Sequence, residues 1–266
     1  MHPVLFSFDI FGTPISIHSY GVLIALGALM GYFHAARTAK KELGIPAETI
    51  QALARVIILA AFIGGKVFYY FEDPGFYFSP PSNMLHNFRT GFVFYGSMIF
   101  VIPAVIWMVR KHKLQILPML DIVAISGIII HAFGRLGCFF AGCCYGSPTE
   151  GPIFIEFTNE ASVAPLNQHL HPTQLYSVTL LICIFVILYM FKRHQRFEGQ
   201  LFFIYIMLYA IGRSIIEIYR GDLRRGFIID DVLSHSQFIS LIMIAIFGFL
   251  YVRLWKKSKF NSKPSP

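Results

Sequence analysis

Charge is what this sequence most lacks. Only 14% of its 266 residues are Asp, Glu, Lys or Arg, and just 14 of them are acidic. A soluble domain carries roughly 25% charged residues, so this chain cannot cover a surface facing water. Cysteine is scarce too: there are four, three of them within 138–144, which excludes a disulfide framework. The first sixteen residues hold no Lys or Arg, so the basic start and small-residue cleavage site of a secretory signal are missing. No internal repeat is evident, which argues against a transporter of the inverted-repeat kind.

What is present is apolar. Hydrophobic residues make up 56% of the chain, with 28 Phe and 13 Tyr. Runs close to the roughly 20 residues needed to cross a bilayer recur along the whole length. They fall at about 17–36, 53–71, 91–109, 120 onward into 131–146, 172–191, 201–219 and 238–254. The expected fold is all-α: a polytopic membrane protein with about seven transmembrane helices. It forms one integral-membrane domain over 1–266, with a basic tail at about 255–266.

The net charge of +8 could suggest a nucleic-acid partner, but its distribution points elsewhere. Of 22 Lys and Arg, 14 fall in four clusters that directly follow apolar runs. These are Arg37, Lys40 and Lys41; Arg110, Lys111 and Lys113; Lys192, Arg193 and Arg196; and Arg253, Lys256, Lys257, Lys259 and Lys263. Such clustering marks cytoplasmic loops and contact with anionic lipid headgroups, with no role for nucleic acid. Seven spans then put the N-terminus outside and the C-terminus in the cytoplasm. The segment 143–170, with three Glu and no Lys or Arg, faces out. Arg220, Arg224 and Arg225 fall on the disfavoured outer side, either as tolerated noise or as a binding feature.

One stretch breaks the apolar pattern: 131–146, HAFGRLGCFFAGCCYG. It sets Arg135 among glycines and thiols at membrane depth, where an arginine costs at least about 2.5–3.5 kcal/mol. On a helix His131, Arg135 and Cys138 share a face. Arg135 either snorkels or pairs with a carboxylate, or it meets a lipid phosphate, and neighbouring glycines favour close approach of a ligand. Asp121 lies too far down the same helix to be its partner.

A second constellation is YAIGRSIIEIYR, where Tyr209, Arg213, Glu217 and Arg220 follow helical spacing. Arg213 and Glu217 are placed to pair, and a paired guanidinium keeps spare donors for phosphate oxygens. A third is HLHPTQLY, where His171 and Gln174 stand at the entry of a span, as caps or as functional groups. Tyr20 in HSYG and Tyr95 in FYGSMIF are equally compatible with an interfacial belt. The C-x4-C-C spacing of Cys138, Cys143 and Cys144 matches no common zinc pattern, so small packing residues or a redox pair is the expected role.

Taken together and in this order, GRLGCFFAGCCYG, HPTQLY and YAIGRSIIEIYR resemble the bacterial prolipoprotein diacylglyceryl transferase family, over most of the chain. The resemblance implies transfer of a diacylglyceryl group from phosphatidylglycerol to the lipobox cysteine of a lipoprotein precursor, with glycerol phosphate leaving. It implies the bacterial inner membrane, membrane lipids as surroundings, and no metal or organic cofactor. Arg135 matches the family's signature arginine and Arg213 its second essential arginine, with Tyr209 and Glu217 beside it. Tyr20 matches a first-span tyrosine, His171 the histidine before the fifth span, and Gly146 the glycine that closes the signature.

Two departures stand out. Enterobacterial-type members carry a histidine followed by Gly-Gly in the third span, whereas this chain has Tyr95-Gly96-Ser97. Their signature reads Gly-Asn-Phe and later Glu, where this chain has Cys138 and Cys143. A tyrosine, with a pKa of about 10, is a poor base at neutral pH. His131, His171 or the arginine field is then left to activate the acceptor thiol. An anion transporter lined by Arg135 and Arg213, a thiol-redox membrane protein, and a headgroup transferase with another acceptor are the rival readings.

Overall fold

Apolar runs bounded by Gly, Pro and basic clusters become helices because a backbone in lipid must satisfy its own hydrogen bonds. A computed structural model describes residues 2–10, 13–80, 82–88, 91–221, 227–229 and 233–261. The elements begin with two strands, β1 (Val4–Ile10) and β2 (Thr13–His18). Helices α1 (Ser19–Leu43), α2 (Ala47–Glu72), α3 (Pro74–Phe78), α4 (Ser82–His86), α5 (Phe94–Lys111), α6 (Ile116–Ala141), α7 (Thr173–Phe191) and α8 (Gln200–Ile218) follow. The short strands β3 (Phe227–Ile229) and β4 (Leu233–Ser234) then lead to α9 (His235–Asn261).

Each of the seven expected spans is helical. Among the described residues six helices are long and apolar enough to cross a membrane: α1, α2, α6, α7, α8 and α9. The remaining expected span is α5, 18 residues long, which contains Pro103 and ends on Arg110 and Lys111. Arg224, Arg225 and Lys263 lie outside the described residues.

The chain divides into two compact units, 1–34 with 120–266, and 35–119. In the second unit α2 packs along α5, and Ser97 Oγ donates to the Ala61 carbonyl at 2.8 Å. Lys66 is buried there, its Nζ donating to the Gly91 carbonyl at 3.0 Å and lying over the rings of Tyr69, Tyr70 and Phe88. Tyr95 sits on an exposed face of α5.

The first unit holds the charged motifs. Its core joins Ala124, Ile125 and Ile128 of α6 to Leu181, Ile184 and Leu188 of α7 and Leu201 of α8. Helix α1 crosses α6 at Gly27 and Gly31, where an added Cβ would press on Phe133 and Ile130. This small-xxx-small spacing is the usual way membrane helices approach closely. Asp121 anchors the other end of the bundle, its carboxylate accepting from the backbone N–H groups of Gly199, Leu201 and Phe202. A carboxylate at the N-terminus of α8 satisfies orphan donors and complements the helix dipole. Outward faces stay apolar, as at Ile182, Val186 and Met190 of α7, which suits a lipid solvent.

One element differs from expectation. The first span begins at Ser19, because 4–10 and 13–18 pair as an antiparallel hairpin instead of extending the helix. The segment 143–170 holds no helix or strand, as a loop does, yet it packs as a cap: Phe157, Ala164 and Leu170 form a small core with Tyr145, Ile155 and Leu166 around it.

Candidate active site

Helical spacing first puts His131 and Arg135 one turn apart on α6. Tyr205, Tyr209, Arg213 and Glu217 form a matching stripe on α8 at four-residue steps. The two stripes face each other. Arg135 Nε donates to His131 Nε2 and an Arg135 terminal nitrogen donates to Tyr209 Oη, both at 3.4 Å. Tyr209 Oη lies 3.3 Å from His131 Nε2, and Tyr205 Oη lies 3.4 Å from His131 Nδ1.

These contacts fix the imidazole. A guanidinium can only donate, so Nε2 accepts and the ring proton sits on Nδ1, directed at Tyr205. Tyr209 in turn donates to Nε2 while it accepts from Arg135. Both ring nitrogens are occupied, and the arginine is held from two sides.

One turn beyond Tyr209, Arg213 pairs with Glu217 at 2.5 Å, the two side chains being 14% and 4% exposed. The positive charges of Arg135 and Arg213 are close enough to repel. A buried cluster with two guanidiniums and one carboxylate carries an excess of positive charge, which an anion offsets.

Beyond α6 the chain turns at Gly142, whose φ of +73° only glycine adopts without strain and whose missing Cβ makes room for Ser162. Here the three thiols gather, with Cys138, Cys143 and Cys144 Sγ atoms within 4.8 Å of one another. Gln174 Nε2 donates to the Cys143 carbonyl at 2.8 Å and Thr173 Oγ1 to the Cys144 carbonyl at 2.7 Å, so the start of α7 clamps this segment. The buried Gln174 Oε1 has no hydrogen-bond partner among the described residues. Hydrogen bonds from the Cys138 and Cys143 thiols, with the Arg220 and Arg135 charges, hold the Cys144 thiol far below the ordinary thiol range. The Cys143 thiol is pushed up by those same bonds.

Tyr20, at the start of α1, lies against Gly137, where an added Cβ would sit 3.0 Å from its ring. Gly146 runs between two backbones: its N–H donates to the His171 carbonyl at 3.0 Å, and Ser147 N–H donates to the Tyr219 carbonyl at 2.8 Å. A Cβ at Gly146 would strike the His171 carbonyl, so its glycine lets three chain segments meet. His171 Nδ1 lies 3.2 Å from Tyr176 Oη, and its ring meets Tyr219 edge-on at 5.1 Å.

The first unit therefore brings together His131, Arg135, Tyr209, Arg213 and Glu217, with Tyr20 and the thiols at the end of α6. His171 and Gly146 form the seam between α7 and the end of α8. Tyr95 belongs to the other compact unit. Arg220, expected on the helical stripe, lies past the end of α8 and pairs with Gly146 through a backbone bridge. Tyr205 and Thr173 escaped sequence reasoning. The stripe had only to be continued one turn towards the N-terminus to reach Tyr205, whereas nothing in the sequence links Thr173 to Cys144.

Comparison with known proteins bears on this arrangement. Residues 3–253 match the family profile described as prolipoprotein diacylglyceryl transferase. The chain is similar to a phosphatidylglycerol–prolipoprotein diacylglyceryl transferase of Clostridium tetani, 39% identical over 97% of this chain and 100% of the relative. A second such enzyme, numbered 2 in Clostridium perfringens, is 31% identical over 93% and 94% of the two chains. One from Rickettsia bellii is 30% identical over 95% of each.

Proposed function

Because the chain belongs to the prolipoprotein diacylglyceryl transferase family, we propose that it moves the diacylglyceryl group of phosphatidylglycerol onto the lipobox cysteine thiol of prolipoproteins. Glycerol phosphate leaves, in the first step of lipoprotein maturation. The observation that carries this reading is the doubly held Arg135 beside the Arg213–Glu217 pair.

The reaction makes an S–C bond to a glycerol carbon and breaks the C–O bond to phosphate. Negative charge grows on the departing phosphate. A cation already fixed in a dry site stabilises that charge without reorganising, and losing one such donor typically costs about 10²–10³ in kcat. His131 and Tyr209 fix Arg135 in place, so His131 acts as a positioning residue and not as the base. Arg213 offers phosphate the donors that Glu217 leaves spare. Tyr20 and His171, which match the family's first-span tyrosine and the histidine before the fifth span, are assigned to the acceptor thiol, and the buried Gln174 holds the Cys143 carbonyl in place.

The enzyme crosses the bacterial inner membrane several times. The basic clusters that end α1, α5, α7 and α9 face the cytoplasm, and the 143–170 cap faces the periplasm. Phosphatidylglycerol enters from the bilayer, and the prolipoprotein presents its thiol from the same leaflet.

Purified protein incubated with phosphatidylglycerol and a lipobox peptide should add diacylglyceryl to the peptide cysteine. A peptide left unmodified by folded wild-type protein would contradict this function.

A further inference from the structure

Among the described residues, the three-thiol cluster is a group of reactive side chains that phosphate chemistry leaves unused. By spacing alone C-x4-C-C argues against a metal; the fold changes that. Gly142 closes α6 as a Schellman turn, with the Cys143 N–H donating to the Cys138 carbonyl at 3.1 Å. That turn brings the residue after the glycine back over the last helical turn, so Cys143 meets Cys138. Cys144, at φ +60°, then turns the chain again and adds the third sulfur.

The geometry is within reach of coordination. Thiolates held tetrahedrally at about 2.3 Å from a zinc-sized ion lie about 3.8 Å apart, and these sulfurs already lie within 4.8 Å of one another. Thr173 and Gln174 hold the two backbone carbonyls, so small side-chain rotations close the gap. The C-terminus of α6 favours a cation, and Arg135 and Arg220 offset the charge of the thiolates. The three residues are neither sealed in nor fully exposed. Three protein ligands leave a fourth position of a tetrahedral ion open, which is the arrangement of catalytic rather than structural sites.

We propose that Cys138, Cys143 and Cys144 bind one thiophilic divalent ion of the zinc class, whose fourth position takes the acceptor thiol as its thiolate. The second half rests on the transferase reading. On binding, a metal–sulfur bond forms, a water leaves the ion and the thiol proton passes to solvent. The sulfur pair then forms the S–C bond as the metal–sulfur and C–O bonds break, with no change of oxidation state.

The test uses the full chain in detergent, reduced, freed of metal and titrated with Co²⁺ alone. The expected result is about one Co²⁺ per chain with sulfur-to-metal charge-transfer absorption, lost in Cys138→Ser and Cys143→Ser variants that keep the wild-type circular dichroism. A lipobox peptide should strengthen that absorption, whereas the same peptide with serine at the acceptor position should not. Wild-type protein with all four cysteines titratable as thiols and no charge-transfer band overturns the site, and so does recovery of two of the three clustered cysteines as a disulfide from reducing buffer. A band that the cysteine peptide leaves unchanged overturns the acceptor role. Diacylglyceryl transfer measured on the same preparation separates the two readings. A cobalt site that responds to the peptide without any lipid transfer supports the metal site and defeats only the transferase assignment.

Discussion

Arg135 and Tyr209 meet across two helices, the guanidinium donating to the phenol oxygen at 3.4 Å while both engage the same nitrogen of His131. An arginine held in this way cannot snorkel to the interface, and it keeps N–H donors that His131 and Tyr209 do not use.

Arg135→Lys keeps the charge but loses the fork. The planar guanidinium reaches Tyr209 and His131 together with donors to spare for a phosphate, and an ammonium cannot match that fork. Turnover should fall by about 10²-fold or more, as for loss of a fixed transition-state donor. Thermal melting in detergent that stays near wild type, with kcat lost, is the expected combination; unchanged kcat counts against the role.

His131 is read as a support and not as a base. His131→Gln, which can still accept from Arg135, should retain far more activity than His131→Ala. The pH–rate profile of the glutamine variant should keep the shape of the wild type. Loss of one limb of that profile in His131→Gln would return the histidine to the role of base.

The Arg213–Glu217 pair predicts a stability effect separable from activity. Glu217→Ala leaves a largely buried guanidinium uncompensated, and breaking such a pair costs about 3–5 kcal/mol. The double replacement of Arg213 and Glu217 by leucine should recover most of the melting temperature while leaving the enzyme inactive. Equal stability of Glu217→Ala and wild type would mean that the pair contributes little.

Gly142→Ala should destabilise the cap by more than about 1 kcal/mol, because alanine is strained at positive φ and its Cβ meets Ser162. The control is Gly134, whose Cβ would meet nothing within 4 Å. Comparable melting temperatures for the two alanine variants would undo the turn argument.

The sequence made the helices legible because lipid demands long apolar runs, and the positions near 53–71, 172–191 and 201–219 fall inside α2 and on α7 and α8. Its four-residue spacings also carried the Arg135–His131 and Arg213–Glu217 relationships, since these are set within one helix. What crossed between elements was hidden. Tyr209 and Arg135 share a network only because α6 and α8 pack around Ile128 and Leu201. The strands 4–10 and 13–18 carry their own signal, since Phe6-Ser7-Phe8-Asp9-Ile10 alternates apolar and polar positions, but the apolar content of the run also suits the start of a span. The cap was missed because its pairing, such as Ile155 with Leu170, joins isolated residues rather than strands. That the three thiols meet was hidden because spacing carries no account of a left-handed glycine turn.

The central claim is that Arg135 serves the departing phosphate of the donor lipid. It is tested most directly by following transfer from labelled phosphatidylglycerol to a lipobox peptide, with wild-type protein and Arg135→Ala side by side. Modification of the peptide cysteine by wild type, and at least about hundredfold slower modification by a folded Arg135→Ala protein, is the predicted result. Equal rates for the two proteins would contradict it.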